Sequence, residues 1–146
     1  MERKMRVILF DDNQQTRELL ELLLQQQGFE VFMYSDPILC PLQHSHDCQC
    51  DEKQQCADIV ITDIDMPNVS GLEFIENQVR KGCKIQNIAI MSGEWSESKI
   101  KLAEKLGCSV FVKPFDVSSL TKWLEECEKR IDKNKNLSNW FLQEEG

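Results

Sequence analysis

Short apolar runs alternate with segments of helical periodicity along most of this chain. Five runs have the length and continuity of buried strands, and four segments carry apolar residues at helical spacing. Strands that alternate with helices form a parallel sheet with helices on both faces, so we expect one α/β domain. The predicted strands are 5–10, 29–34, 57–62, 87–92 and 109–113, and the predicted helices are 16–27, 71–81, 96–106 and 117–133.

The connection between the second and third predicted strands has an unusual composition. A parallel crossover normally contains a helix, so we expect one within 36–56, beginning near Pro37. Residues 40–56 read CPLQHSHDCQCDEKQQC, with four cysteines and two histidines. They lack the paired C-x2-C unit of most structural zinc sites. Three interpretations stay open: a loop of reduced thiols, a disulfide, or a second metal site for zinc or iron built from Cys40, Cys48, Cys50, Cys56, His44 and His46.

Composition limits the function classes. The net charge is -8 over 146 residues, which argues against nucleic acid as a partner, because phosphate backbones need clustered Lys and Arg. The N-terminal residues do not resemble a signal peptide, and no apolar run approaches the roughly 20 residues of a membrane helix. We therefore expect a cytoplasmic protein without a membrane partner, in which the seven cysteines are thiols or metal ligands.

Polar residues follow four of the five predicted strands. In an open α/β sheet, ligands bind beyond the carboxyl ends of the strands. Carboxylates there suit Mg²⁺, and a lysine and a hydroxyl beside them suit a phosphoryl group. An aspartate can itself be the nucleophile and form an aspartyl phosphate. Each residue alone has an ordinary explanation as a cap or turn, but together they form one candidate site: Asp11, Asp12, Asp63, Asp65, Ser92 and Lys113.

These motifs resemble the receiver domain of bacterial two-component response regulators. The resemblance covers residues 5–131 and rests on the acidic pair after the first strand, ITDIDMPNVSGLE around the third, IAIMSG at the fourth and FVKPF at the fifth. It implies a flavodoxin-like, doubly wound sheet of five parallel strands in the order 2-1-3-4-5. It also implies a receiver domain over 1–133, with the Cys/His-rich insertion at about 40–56, and a polar tail over 134–146.

The resemblance also assigns roles at the site. Asp63 is the expected phosphoacceptor. Asp11, Asp12, Asp63 and the backbone carbonyl of Asp65 are the expected ligands of Mg²⁺. Ser92 is expected to donate its hydroxyl to the phosphoryl group, and Lys113 to form an ion pair with it. Pro67 and Gly71 are expected to shape the loop after Asp63, and the Lys113–Pro114 bond is expected to be cis.

The family's chemistry implies the partners. A sensor histidine kinase or a phosphotransfer protein is expected to supply the phosphoryl group from a phosphohistidine. The receiver is expected to catalyse its own phosphorylation and slow dephosphorylation, and to switch a surface that binds a downstream protein. The short tail predicts a stand-alone receiver or a piece of a longer protein.

The chain departs from the family pattern at one position of the last strand, and two alternative functions remain open. The family often places Tyr or Phe three residues before the lysine, where this chain has Val110, and strand alternation predicts that Phe111 points to the opposite face. A phosphatase of the haloacid-dehalogenase type also uses an Asp-x-Asp motif and is the first alternative. In that family the motif lies on the first catalytic strand, whereas here the acidic pair comes earlier in the chain. A receiver-like binding module, in which the Cys/His insertion senses metal or redox state, is the second alternative.

Overall fold

The computed structural model describes residues 3–36, 56–66, 70–81, 85, 87–135 and 137. Within them the predicted alternation of strands and helices is confirmed. The strands are β1 (Met5–Phe10), β2 (Phe29–Tyr34), β3 (Ile59–Asp63), β4 (Asn87–Ser92) and β5 (Ser109–Val112), and the helices are α1 (Gln14–Gln26), α2 (Gly71–Arg80), α3 (Glu97–Lys105) and α4 (Val117–Arg130). In the described part of the chain, no helix is long and apolar enough to cross a membrane.

The five strands form one parallel sheet in the order β2-β1-β3-β4-β5. The predicted fold class and strand order are therefore confirmed. Strand β1 lies between β2 and β3, with Val7 opposite Val31 on one side and Ile59 on the other. All six residues of β1 are buried, which explains why its sequence is continuously apolar rather than alternating.

Helices cover both faces of the sheet. Alternate residues of β1 point to opposite faces, so Ile8 and Phe10 belong to one core cluster and Val7 and Leu9 to the other. The first cluster includes apolar residues of α2 and α3, and the second includes those of α1 and α4. Val110 packs against the first cluster and Phe111 against the second, so the predicted opposition of these two residues is confirmed.

Several predicted boundaries need correction. Helix α1 begins two residues earlier than the leucine pattern predicted, because the Asn13 side chain caps it by accepting from the Thr16 backbone N–H. Strand β3 begins at Ile59 rather than residue 57, and α4 ends at Arg130 because Ile131 is extended. Gly28 and Gly107 directly follow the predicted helix ends at 27 and 106, and both have positive φ, 90° and 79°, as is common just after a helix.

The remaining predictions about local structure divide into two groups. The Lys113–Pro114 bond is cis, as predicted, and Asp116 caps α4, which begins at the predicted residue 117. The crossover helix expected within 36–56, the loop residue Pro67 and the tail beyond residue 137 lie outside the described residues.

Candidate functional site

A cluster of three carboxylates lies at the carboxyl edge of the sheet. Asp11 follows β1 and Asp63 ends β3, and these neighbouring strands are in register at Phe10 and Thr62. Oxygen atoms of Asp11, Asp12 and Asp63 lie within 4.8 Å of one another. Asp11 and Asp63 are buried, whereas Asp12 is exposed. The structure therefore brings together the three acidic residues that the sequence placed at strand ends.

Lys113 joins two of these carboxylates. Its Nζ lies 2.8 Å from Asp11 Oδ2 and 3.2 Å from Asp63 Oδ2. Burial lowers the pKa of Lys113, but its hydrogen bonds and charge interactions with Asp11 and Asp63 more than offset this and raise the pKa above 10.5. Lys113 is therefore a fixed positive charge beside the predicted phosphoacceptor.

Asp63 is held in a defined orientation and is difficult to ionise. Its Oδ1 accepts a hydrogen bond from the Asp65 backbone N–H at 3.1 Å, which leaves Oδ2 facing Lys113. Burial raises the pKa of Asp63 to about 6, with a further contribution from the Asp11 charge, while the Asp65 N–H and Lys113 oppose the rise. A cation next to Asp63 would favour the ionised, nucleophilic form.

The backbone around Asp63 leaves no room for a side chain at Gly71. A Cβ built on Gly71 would lie 2.2 Å from the Asp63 carbonyl oxygen, so only glycine allows α2 to begin this close to β3. The predicted role of Gly71 in shaping this loop agrees with that contact. Ser70 caps α2 by accepting from the Glu73 backbone N–H, which fixes the start of the helix beside the site.

Asp11 has two further partners that the sequence did not reveal. Its Oδ1 accepts from the Asn13 backbone N–H at 2.9 Å, and its carbonyl oxygen accepts from Arg17 Nη1 at 2.7 Å. Arg17 lies one turn into α1, so its guanidinium reaches back to the end of β1. A basic residue four positions after a helix cap was the available signal. The first contact orients the Asp11 carboxylate, and the second holds the backbone at the end of β1.

Ser92 is buried at the end of β4, with its hydroxyl engaged by the following loop. The Oγ accepts from the Glu94 backbone N–H at 3.0 Å and lies 3.2 Å from both the Glu94 carbonyl oxygen and Asp65 Oδ2. A serine hydroxyl has one hydrogen, so it donates to one of these two acceptors at a time. Asp65 thus faces the site with its side chain exposed and bonded to Ser92.

The carboxylate cluster has a donor set suited to Mg²⁺. The three candidate ligand groups are carboxylates, and Mg²⁺ prefers carboxylates, carbonyls and water to nitrogen or sulfur ligands. Asp11, Asp12 and Asp63 form the cluster of three metal-ligating side chains found among the described residues. The repulsion between these carboxylates, which Lys113 relieves only in part, gives a cation a further reason to bind.

Of the Cys/His set, only Cys56 lies within the described residues. It is fully buried in the core cluster that also contains Ile8 and Ala57, and its carbonyl accepts from Arg6. Cys40, His44, His46, Cys48 and Cys50 lie outside the described part. Cys108 and Cys127 are buried, which raises the pKa values of their thiols to about 12 and 11. Both are therefore thiols at neutral pH.

Comparison with known proteins identifies the family. The family model described as "Response regulator receiver domain" matches residues 7–125 of this chain. The chain belongs to the receiver domain family. The solved structure of the chemotaxis response regulator CheY4 of Vibrio cholerae superposes with a TM-score of 0.68 at 26% identity, covering 86% of this chain and 99% of CheY4. The protein is therefore a CheY-like receiver domain of two-component signalling, and the match favours this family over the phosphatase alternative.

The curated relatives differ greatly in length. The CAI-1 autoinducer sensor kinase/phosphatase CqsS of Vibrio cholerae is 35% identical over 114 residues, which are 76% of this chain but 16% of CqsS. A probable transcriptional regulatory protein of Picosynechococcus is 27% identical, and the match spans 46% of it. The chemotaxis protein CheY-3 of Vibrio cholerae is 24% identical, over 90% of this chain and 97% of CheY-3. Receiver domains thus match this chain both within long proteins and as nearly whole chains.

Proposed function

We propose that this receiver domain accepts a phosphoryl group on Asp63 from a phosphohistidine of a sensor histidine kinase or a phosphotransfer protein. One observation carries the proposal: Lys113 Nζ lies within 3.2 Å of an Asp63 carboxylate oxygen, beside a cluster of three carboxylates that suits Mg²⁺. The nucleophile, a fixed positive charge and a cation site thus share one edge of the sheet. This combination fits phosphoryl transfer, which depends on positioning and on charge stabilisation.

The transfer step follows from the orientation of Asp63. A carboxylate oxygen forms the new bond to phosphorus, the P–N bond of the phosphohistidine breaks, and its electron pair stays on the imidazole, which leaves as a neutral group because its other ring nitrogen carries a proton. Oδ1 is occupied by the Asp65 N–H and Oδ2 faces Lys113. Either oxygen is thus stabilised as an anion before attack, and Lys113 then lies beside the transferred group.

The other site residues have supporting roles in the proposal. Asp11, Asp12, Asp63 and the Asp65 carbonyl would hold Mg²⁺, which neutralises negative charge between the carboxylates and the phosphoryl oxygens. The Ser92 hydroxyl would leave its present partners and donate to a phosphoryl oxygen. Phosphorylation thereby changes the hydrogen bonds at the end of β4, and we propose that this switches a surface for a downstream protein.

The phosphodonor protein is proposed to approach over an apolar groove next to Lys113. The groove is lined by Thr16 and Leu19 of α1 and by Lys113, Pro114, Phe115 and Val117 after β5. Leu19 and Val117 are 50% and 46% exposed, which is high for large apolar residues. An apolar surface beside the site offers a docking area for a macromolecular donor, whereas a small donor does not need it.

Labelling with a small phosphodonor tests the proposal. Acetyl phosphate labelled on phosphorus should label the purified protein in the presence of Mg²⁺, and chelation with EDTA should prevent labelling. Asp63→Asn should abolish it. Asp116→Asn is a matched control, since Asp116 is an exposed helix cap and asparagine caps equally well. Equal labelling of the wild type and Asp63→Asn would sink the assignment.

Three finer features belong to the same proposal. We propose a receiver domain over 1–133 followed by a polar tail over 134–146; the match to 97% of CheY-3 supports this extent for the domain. A cytoplasmic location would keep the seven cysteines reduced. The alternative of a metal- or redox-sensing module at 40–56 is not favoured, because Cys56 is buried among apolar side chains. Metal analysis of the purified protein would revive it by finding stoichiometric zinc or iron.

A further inference from the structure

Trp95 links the loop after β4 to the neighbouring strand β5. It lies three residues after Ser92 and just before α3, and its indole Nε1 donates a hydrogen bond to the Phe111 carbonyl oxygen at 2.9 Å. The ring is half-buried against the core cluster that also receives Val110. Trp95 is therefore an aromatic residue fixed between the loop and the strand.

The other end of this loop is fixed by the Ser92 hydroxyl. The Oγ accepts from the Glu94 N–H and can donate to the Glu94 carbonyl, and Glu94 directly precedes Trp95. The peptide groups on both sides of Glu94 are thus tied to the same oxygen atom. Asp65 Oδ2 competes for the same hydrogen at 3.2 Å. The position of the Ser92 hydroxyl therefore determines the conformation at the start of the loop.

A phosphoryl group on Asp63 would take over this hydroxyl. When Ser92 Oγ–H donates to a phosphoryl oxygen, the Glu94 carbonyl keeps Lys99 Nζ as a donor, at 3.3 Å, but the rotated Oγ no longer meets the Glu94 N–H. That N–H must then find water or a new partner, so the loop changes conformation at Glu94. Trp95 is the next residue, and its hydrogen bond to the Phe111 carbonyl connects the moving loop to β5.

We propose that Trp95 carries the phosphorylation signal from Ser92 to β5. In the unphosphorylated protein the Trp95 indole donates a hydrogen bond to the Phe111 carbonyl. When the Glu94 backbone loses its hydrogen bond to Ser92, Trp95 moves and this bond breaks. This inference rests on the proposed phosphorylation of Asp63. It explains how a receiver with the aliphatic Val110 before its lysine has an aromatic residue that senses the site. Trp123 does not have this role, because it packs edge-on against Phe111 and bonds to Ser109 Oγ, away from the loop.

Fluorine NMR tests the inference in the otherwise native chain. The three tryptophans are replaced biosynthetically by 5-fluorotryptophan, and Trp95→Phe and Trp140→Phe assign the resonances, with Trp123 assigned by elimination. Acetyl phosphate and Mg²⁺ are added, and incorporation of phosphate at Asp63 is measured on the same sample. The Trp95 resonance should shift in proportion to the labelled fraction, while the Trp123 resonance should stay in place.

Ser92→Ala separates the proposed route from a general change. This variant should still be labelled, more slowly, but its Trp95 resonance should not move. A labelled wild type with an unmoved Trp95 resonance overturns the inference and leaves the proposed function intact. A Trp95 shift that persists in labelled Ser92→Ala overturns the route through Ser92. No incorporation at Asp63 overturns both proposals together.

Discussion

Lys113 Nζ lies 2.8 Å from Asp11 Oδ2, although 102 residues separate them. The Asp11 side chain is fully buried, and Lys113 is the cationic side chain that lies against its carboxylate. The contact joins β1 to β5 across the edge of the sheet and also brings Lys113 within 3.2 Å of Asp63. The same ammonium group therefore supports the folded state and the proposed chemistry.

Removing Lys113 should destabilise the protein as well as slow phosphorylation. Lys113→Met leaves the buried Asp11 carboxylate without its partner, and we expect the free energy of unfolding to fall by about 2–3 kcal/mol in urea titrations with EDTA. The double variant Asp11→Asn, Lys113→Met should recover most of this loss, because the buried charge is gone as well. Additive effects of the two substitutions would show that the ion pair is not what stabilises this edge.

The raised pKa of Asp63 predicts a pH-dependent stability difference. Its folded-state pKa is about 6, above the ordinary 3.8, so ionisation of Asp63 opposes folding. The contribution of the neutral Asp63 to the free energy of unfolding is therefore complete below pH 3.8 and is lost as the pH rises through 6. With EDTA present, Asp63→Asn should be more stable than the wild type at pH 7.5, by about 1–3 kcal/mol, and the difference should vanish near pH 4.

Asp116→Asn is the control for this measurement. The Ser119 hydroxyl and the backbone N–H of Ser118 lower the pKa of Asp116, so its ionisation does not oppose folding. That variant should show no gain in stability at pH 7.5. An Asp63→Asn difference that is the same at both pH values would contradict the assigned shift.

Gly71 should not tolerate even a methyl group. Because its Cβ would meet the Asp63 carbonyl at 2.2 Å, Gly71→Ala must displace α2 or the end of β3. We expect a loss of about 1–3 kcal/mol in the free energy of unfolding, measured in urea, together with slower labelling by acetyl phosphate. Gly93→Ala is the matched control, since a Cβ there meets no atom within 4 Å. Similar stability losses in both variants would show that crowding at Asp63 is not the cause.

The groove beside Lys113 should matter for protein donors only. Leu19→Ser should lower the rate of phosphoryl transfer from a phosphorylated histidine kinase about tenfold, as expected for the loss of one buried apolar contact. Labelling by acetyl phosphate should be unchanged. Val79→Ser provides a control, because Val79 is similarly exposed, at 46%, but lies on α2 and outside the groove. If Leu19→Ser slowed phosphorylation equally with both donors, the substitution would act on the phosphorylation site and not on docking of the kinase.

Sequence periodicity was sufficient for the central strands because they are buried on both sides. The bounds of β1 and β4 match the apolar runs, since a continuous run is what two-sided burial requires. Strand β2, at the edge of the sheet, also has the predicted bounds, although only Phe29 among its six residues is buried. Strand β3 starts later than predicted. Asp58 precedes it and is engaged by Arg3 and by the Arg6 N–H, a polar junction that an apolar count does not register.

The sequence predicted the site residues that lie at the ends of strands. It did not predict the hydrogen bonds by which a side chain of one element contacts the backbone of another. Parallel strands bring their carboxyl ends together, so Asp11, Asp63 and Lys113 meet by topology alone. The bonds from Arg17 to the Asp11 carbonyl and from Trp95 to the Phe111 carbonyl depend on how each helix lies on the sheet. The basic residue four positions after the cap of α1 is a local signal for the first bond, whereas no local pattern points to the second.

Trapping the phosphorylated residue chemically tests the central claim most directly. Borohydride reduces an aspartyl phosphate to homoserine, so the protein is treated with acetyl phosphate and Mg²⁺, reduced, digested and sequenced by mass spectrometry. We expect homoserine at position 63, none without Mg²⁺, and none in Asp63→Asn. Homoserine at Asp11, Asp12 or Asp65 in place of Asp63, or its absence from a folded and Mg²⁺-supplied protein, would show that Asp63 is not the phosphoacceptor.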